Sequence, residues 1–216
     1  MAGSAAEREM RDAVAAYLRG QLPNVRIVHE LVMGHVNRAD LAAIGRDRLI
    51  TVELKSARDV LKRAEKQMAT FDRLSHAAIL VLDQKFFNRT PYDNGAPRCV
   101  TPDGIDRNGG EIWHYPQPAP DAGYGGGSMY RWQMPRPSLR QPRAFDFLGL
   151  LWRAELVSEA ERHGIAATKR MDMVTIQAEM AWRMTGREIA EAVCRQLRMR
   201  SFPEADAPMI ETAKAA

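Results

Sequence analysis

Ala39-Asp40-Leu41-Ala42-Ala43-Ile44-Gly45-Arg46-Asp47-Arg48-Leu49-Ile50-Thr51-Val52-Glu53-Leu54-Lys55-Ser56 is the stretch that decides the fold of this chain of 216 residues. Two apolar runs, 39–44 and 49–55, flank a polar Gly45-Arg46-Asp47-Arg48 turn, the pattern of a β-hairpin. With the turn centred on Arg46 and Asp47, residue 44 faces 49 and residue 40 faces 53. Side chains alternate across a strand. One face of the hairpin then holds Leu41, Ala43, Ile50, Val52 and Leu54, and the other holds Asp40, Thr51, Glu53 and Lys55. Directly opposed carboxylates have Cβ atoms about 5 Å apart, and like charges there destabilise the pair. A hard divalent cation offsets the repulsion, because Mg²⁺ takes a few carboxylate oxygens and keeps several waters. Lys55 adds positive charge beside a nucleophilic water or a developing phosphorane. Metal, carboxylates and lysine together suit hydrolysis of a phosphodiester. The alternative is that Asp40, Glu53 and Lys55 form the solvent face of an ordinary amphipathic hairpin.

Working outward, the spacing of Ala6, Met10, Val14, Tyr17 and Leu18 predicts a helix over 4–18, ended by Gly20 and Pro23. A strand follows over 25–31. After the hairpin, Ser56 with Asp59 three residues on reads as a capping box that starts a helix running to Ser75. AAILVL, 77–82, is a short continuous apolar run of the kind buried on both faces. Helix, three strands, helix and buried strand give an α/β fold with a mixed sheet. On the second helix Val60, Ala64, Phe71 and Leu74 make an apolar stripe with Gln67 in its middle. A buried amide needs partners; Gln67 either satisfies backbone groups or reaches the hairpin and positions a water or phosphate. Glu30, at the end of the first strand, offers a further carboxylate. The hairpin face is expected at a sheet edge near a helix N-terminus, where anions are favoured.

Asp40 followed by Glu53-Leu54-Lys55 on adjacent strands, with a helix behind them, resembles the PD-(D/E)XK nuclease superfamily. Gln67 followed by Phe71 resembles the Q-x3-Y helix motif of its RecB-like members. The longer string Glu30…Arg38-Ala39-Asp40…Val52-Glu53-Leu54-Lys55-Ser56 is similar to the E…RAD…EIKS pattern of MmcB-like small bacterial and phage proteins. The resemblance covers about residues 5–85 and implies a restriction-endonuclease-like core. It implies Mg²⁺, with Mn²⁺ as an alternative, at ligand positions Asp40, Glu53 and Leu54, with Glu30 beside them. Lys55 would be the catalytic lysine and DNA the substrate, in repair, processing or phage metabolism. Ala39 stands where the superfamily's proline would be, and Phe71 replaces the tyrosine, removing its hydroxyl. A catalytically silent DNA-binding or assembly module on the same fold is the alternative.

Beyond residue 85 the composition changes. Residues 86–143 hold nine of the twelve prolines, eight of the fifteen glycines and eight of the fifteen aromatics. Short strands are expected at 111–115, where Trp113 and Tyr115 alternate with Ile112 and His114, and at 128–134. Arg131, Arg136, Arg140 and Arg143, interleaved with aromatics, suit a nucleic-acid backbone; with Arg38 and Ser56 they are the candidate nucleic-acid contacts. A proline-rich wrap over the sheet is the alternative. From 144 to 200 three helices are expected (145–163, 169–182 and one opened by the Thr185…Glu188 capping box), forming a helical extension able to mediate a homodimer. Residues 201–216 read as a flexible tail. Two cysteines, Cys99 and Cys194, exclude a disulfide framework. Net charge is +4 with a pI of about 9.3, which fits a nucleic-acid partner. The absence of a long apolar run and of a signal pattern points to a cytoplasmic protein without a membrane partner.

Overall fold

The computed structural model describes residues 5–34, 37–89, 97–99, 111–117, 131–136, 141–168 and 170–209. Helix α1 (Ala5–Gln21) leads into β1 (Arg26–Met33), β2 (Asn37–Ile44) and β3 (Leu49–Lys55). Helix α2 (Ala64–Leu74) carries the chain to β4 (Ala77–Asp83). A small hairpin, β5 (Phe87–Arg89) and β6 (Pro97–Cys99), precedes β7 (Glu111–Tyr115). Four helices close the chain: α3 (Ala144–Leu148), α4 (Arg153–Arg162), α5 (Met173–Arg183) and α6 (Gly186–Met199).

The main sheet has the order β1-β2-β3-β4-β7. β1, β2 and β3 are antiparallel neighbours, whereas β3, β4 and β7 run parallel. The expected α/β class and mixed sheet are what the chain forms. The hairpin register is also the expected one, with Ile44 opposite Leu49 and Leu41 opposite Val52. A parallel pair needs a crossover, and α2 supplies it between β3 and β4.

Both faces of the sheet are covered, so its strands are apolar on both sides. On one face Met10, Val14 and Leu18 of α1 pack with Leu41, Ile50, Val52, Ile79 and Trp113. On the other, Ala64, Met68, Phe71 and Leu74 of α2 pack with Ala42, Ile44, Leu49, Leu80 and Leu82, and the C-terminal helices extend that core. Each fully buried aliphatic side chain contributes roughly 1.5–3 kcal/mol. That double cover removes the solvent-face alternative for the hairpin: β3 is a central strand, and Glu53 is 1% exposed.

The C-terminal module is fastened to the sheet through Arg26. Its guanidinium, 1% exposed, donates to the main-chain oxygens of Leu197 (2.9 Å), Arg198 (2.9 Å), Arg200 (2.7 Å) and Asp206 (3.0 Å). These include carbonyls at the end of α6, which lack helical partners and carry the negative end of the helix dipole. The chain then runs along β1. Ala205 bridges Val28, His29 N–H donates to Glu204 O (2.9 Å), and Asp206 N–H donates to Ile27 O (2.9 Å).

Several elements differ from the sequence reading. The tail expected from residue 201 is tied down through 209 (the rest, 210–216, lies outside the described residues), because its backbone fills the open edge of β1. The helix expected over 145–163 is two helices, broken at Gly149–Trp152, where Leu150 and Leu151 turn inward. The helix expected from Lys169 begins at Met173, with Asp172 accepting from Thr175 N–H as its cap; Lys169 itself lies outside the described residues. The Thr185 box forms as expected. Within 128–134, residues 131–134 form no strand, and 128–130 lie outside the described residues. Trp132 is core instead: its ring stacks on Trp113 at 5.5 Å, its Nε1 donates to His114 O (2.8 Å), and its carbonyl accepts from the Tyr17 hydroxyl (2.5 Å). Cys194 is a buried free thiol; the Cys99 side chain lies outside the described residues. Among the described residues no helix is long and apolar enough to cross a membrane.

Candidate active site

The site grows out of a defect in the sheet. Val28, Leu31 and Met33 all pack on the α2 side, and so do Ala39 and Ala42, whereas Leu41 points to the α1 side. Strict alternation would not allow this. The in-and-out pattern slips by one residue on both strands, at Glu30 and at Asp40. The register survives: His29 pairs with Leu41 and Leu31 with Ala39, but the rung between them does not form. Glu30 carries the slip with φ of +53°. Such backbone is uncommon outside glycine, costs roughly 1–3 kcal/mol and gathers at functional sites.

The β2–β3 ladder stops at Leu41 and Val52. Beyond it, Leu54 N–H donates to Asp40 Oδ2 at 2.7 Å. The N–H and C=O of one strand residue point the same way, so the Leu54 carbonyl also faces Asp40. Glu53 sits opposite Asp40 in the continued register. Its Oε1 accepts from Lys55 Nζ at 2.5 Å. Lys55 Nζ donates in turn to Gln67 Oε1 at 3.2 Å. Gln67 therefore reaches the hairpin, through Lys55. Glu53 Oε2 is buried and has no hydrogen-bond partner among the described residues.

Electrostatics follow from that burial. Asp40 is pushed up to about 6, chiefly by desolvation, with the Leu54 N–H pulling the other way. Glu53 is pushed up to about 7, by desolvation first and by the Asp40 charge second; Lys55 and the Gln67 amide act against it. Two acids this close resist carrying two negative charges together. A divalent cation relieves both causes at once. The donor set suits a hard ion: carboxylate oxygens of Asp40 and Glu53, including the unpartnered Oε2, and the main-chain oxygen at Leu54. The Leu54 side chain itself faces the opposite core. Among the described residues no three or more His, Cys, Asp or Glu side chains cluster as a metal site, so the set is two carboxylates and backbone.

Glu30 lies within β1, not at its end, and in register opposite Asp40. Its carboxylate is turned to Arg38 (3.4 Å) and Arg11 (3.6 Å), while its charge still raises Asp40. Arg38 is exposed.

The helix expected from Ser56 does not start there. Ser56 N–H and Oγ both donate to Asp59 Oδ2, at 2.7 and 2.6 Å, closing a turn. Lys85 Nζ, from the end of β4, takes the carbonyls of Ala57 (2.5 Å) and Asp59 (2.6 Å). Those oxygens are then lost to a helix, Val60 stays extended (φ −126°, ψ 152°) and a 3₁₀ turn over Leu61–Arg63 leads into α2. Hence the helix starts later than expected and the hairpin face is not at a sheet edge, although Gln67 in the first turn of α2 reaches it, and Val60 is 72% exposed instead of in the stripe. Ser56 is buried, so it is not an exposed nucleic-acid contact.

The arginine segment sits elsewhere. Arg48 Nη2 donates to Arg136 O at 3.2 Å, and Gln141 Oε1 meets His76 Nε2 at 3.0 Å, with His76 Nδ1 accepting from Leu49 N–H at 3.1 Å. Residues 136 and 141 thus lie at the amino end of β3, and Lys55 is six residues further on, about 20 Å at 3.3 Å per residue. Arg136 and Arg143 are exposed, Arg131 is half-buried, and Arg140 lies outside the described residues. Lys85, missed in the sequence, carried no signal: a lysine after a strand shows nothing of the turn it will hold.

A family model described as bacteriophage P4 protein cII matches residues 1–91. That segment contains the four central side chains and strands β1 to β4. No curated protein and no solved structure matches the chain.

Proposed function

We propose that the chain is a metal-dependent nuclease that hydrolyses DNA phosphodiester bonds in the cytoplasm, with Asp40, Glu53, Lys55 and Gln67 as its centre. One observation carries the reading: a 1% exposed glutamate, opposed by a second acid, keeps an unpartnered carboxylate oxygen beside a lysine. Burying such a pair costs several kcal/mol unless a ligand repays it. Mg²⁺ or Mn²⁺ would be held by Asp40, Glu53 and the Leu54 carbonyl and would supply Lewis acidity and a bound water of lowered pKa. Asp40, fixed by the Leu54 N–H, holds its oxygens in one orientation. Lys55 places its ammonium against the charge that builds on the phosphorus oxygens. Gln67 fixes that ammonium from α2, whose Phe71 and Met68 are buried in the core.

The test is incubation of purified protein with supercoiled plasmid and single-stranded circular DNA, in Mg²⁺, Mn²⁺ or EDTA, beside Lys55→Ala. Metal-dependent cutting that disappears in Lys55→Ala is the expected result. A second reading, a silent DNA-binding module, is favoured by the Lys55–Glu53 pair itself, which already neutralises one acid. Folded wild-type protein that binds DNA and cuts in no condition establishes it in place of the first.

A further inference from the structure

We infer that the strap between β3 and α2, taken with the start of α2 as residues 57–66, is the surface that grips the nucleic-acid backbone, through Arg58, Lys62, Arg63 and Lys66. This rests on the proposal that the neighbouring acids act on DNA. All four side chains belong to exposed residues, and none forms an ion pair among the described residues. Of the two acids in the strap, Asp59 is spent on Ser56, which leaves Glu65 against four cations. On α5 and α6 exposed arginines are tied to acids, Arg183 to Glu179 and Arg187 to Glu191, whereas the strap gathers its four cations within nine residues of chain.

Position adds to charge. The strap leaves the carboxyl end of β3, two residues after Lys55, and returns to the site at Gln67. In open α/β sheets ligands bind outside the carboxyl ends of parallel strands, and β3, β4 and β7 all end here. Lys62 and Lys66, four apart where the 3₁₀ turn runs into α2, are neighbours on one side. The strap is held as a platform: Lys85 binds two of its carbonyls and packs on the Phe86 ring at 4.5 Å. Val60, 72% exposed and between Arg58 and Lys62 in the chain, is an apolar side chain that can rest on sugar or base.

The test is DNA binding by fluorescence anisotropy in EDTA, so that nothing is cut, over a salt series. The variants are Arg58→Gln/Lys62→Gln/Arg63→Gln/Lys66→Gln and, as a comparison, Arg136→Gln/Arg143→Gln. Each lost phosphate contact lowers the slope of log K against log salt by roughly one. The strap variant is expected to bind about tenfold or more weakly and to lose roughly three from the slope, with its melting temperature unchanged; the comparison variant changes affinity about twofold or less. A strap variant with wild-type slope, or wild-type protein that does not bind DNA, overturns the inference. Wild-type protein that binds through the strap and yet cuts nothing leaves the inference standing and removes the hydrolytic reading alone.

Discussion

Two buried glutamates invite comparison, Glu53 in the sheet and Glu159 in α4. Both are almost fully enclosed, and both face a cation, Lys55 and Arg195, at 2.5 Å. Glu159 is satisfied on both oxygens, since Gln196 Nε2 donates to the second at 2.6 Å. Its partners tie α4 to α6, and neither carboxylate oxygen is left over. Glu53 is satisfied on one oxygen and faces Asp40 instead of a donor, and Asp40 in turn lies opposite the strained Glu30 of β1. Buried charge is thus no sign of function by itself. What distinguishes Glu53 from that clamp is an incomplete set of partners together with a like charge opposite it.

The comparison breaks or sharpens under substitution. Asp40→Asn keeps the shape and removes a ligand charge; its cutting rate is expected to fall by about 10²–10³-fold, equivalent to roughly 3–4 kcal/mol of barrier. Single-turnover cleavage measures it, and a rate within a few-fold of wild type would put Asp40 among the structural acids. Glu159→Ala should do the reverse. Removing one partner of a buried pair costs on the order of 3 kcal/mol, read by urea denaturation, while cutting by the folded fraction stays near wild type.

The smallest effect is a pH slope. Asp40 and Glu53 are raised by burial, and Glu53 also by its neighbour, so folded protein binds protons that unfolded chains release. Metal-free stability is then complete below the unfolded carboxylate pKa of roughly 4 and is lost as pH rises through about 6 and 7. Melting of metal-free wild type should fall by a few degrees between pH 4.5 and 7.5, an effect of roughly 1–3 kcal/mol. Asp40→Asn/Glu53→Gln should flatten the slope, and a slope unchanged in that variant would assign it to other groups.

Local pattern made the hairpin legible. A four-residue polar turn fixes register, and register alone brings Asp40 and Glu53 together. Gln67 showed as an amide in an apolar stripe, although Val60, counted in that stripe, is exposed. What escaped depends on contacts distant in sequence. Lys85 holds extended the stretch that the Ser56–Asp59 pattern marks as a helix start. His29, Ile27 and Arg26 capture a tail whose composition resembles a frayed end. Trp132, beside arginine in a proline-rich stretch, reads as a stacking platform and is buried against Trp113. The slip at Glu30 and Asp40 left no trace, because alternation in both strands shifts together and the pairing sum is unchanged.

Arg26 bears on modularity. The stretch similar to the P4 protein stops at residue 91, within the chain that builds the sheet, yet its first strand begins with a guanidinium whose acceptors lie between residues 197 and 206. Without those carbonyls the segment would carry a buried, unanswered cation and an open strand edge. The unit of resemblance and the unit of cooperative folding are therefore different lengths of chain, and the chemistry proposed for Glu53 would belong to the longer one.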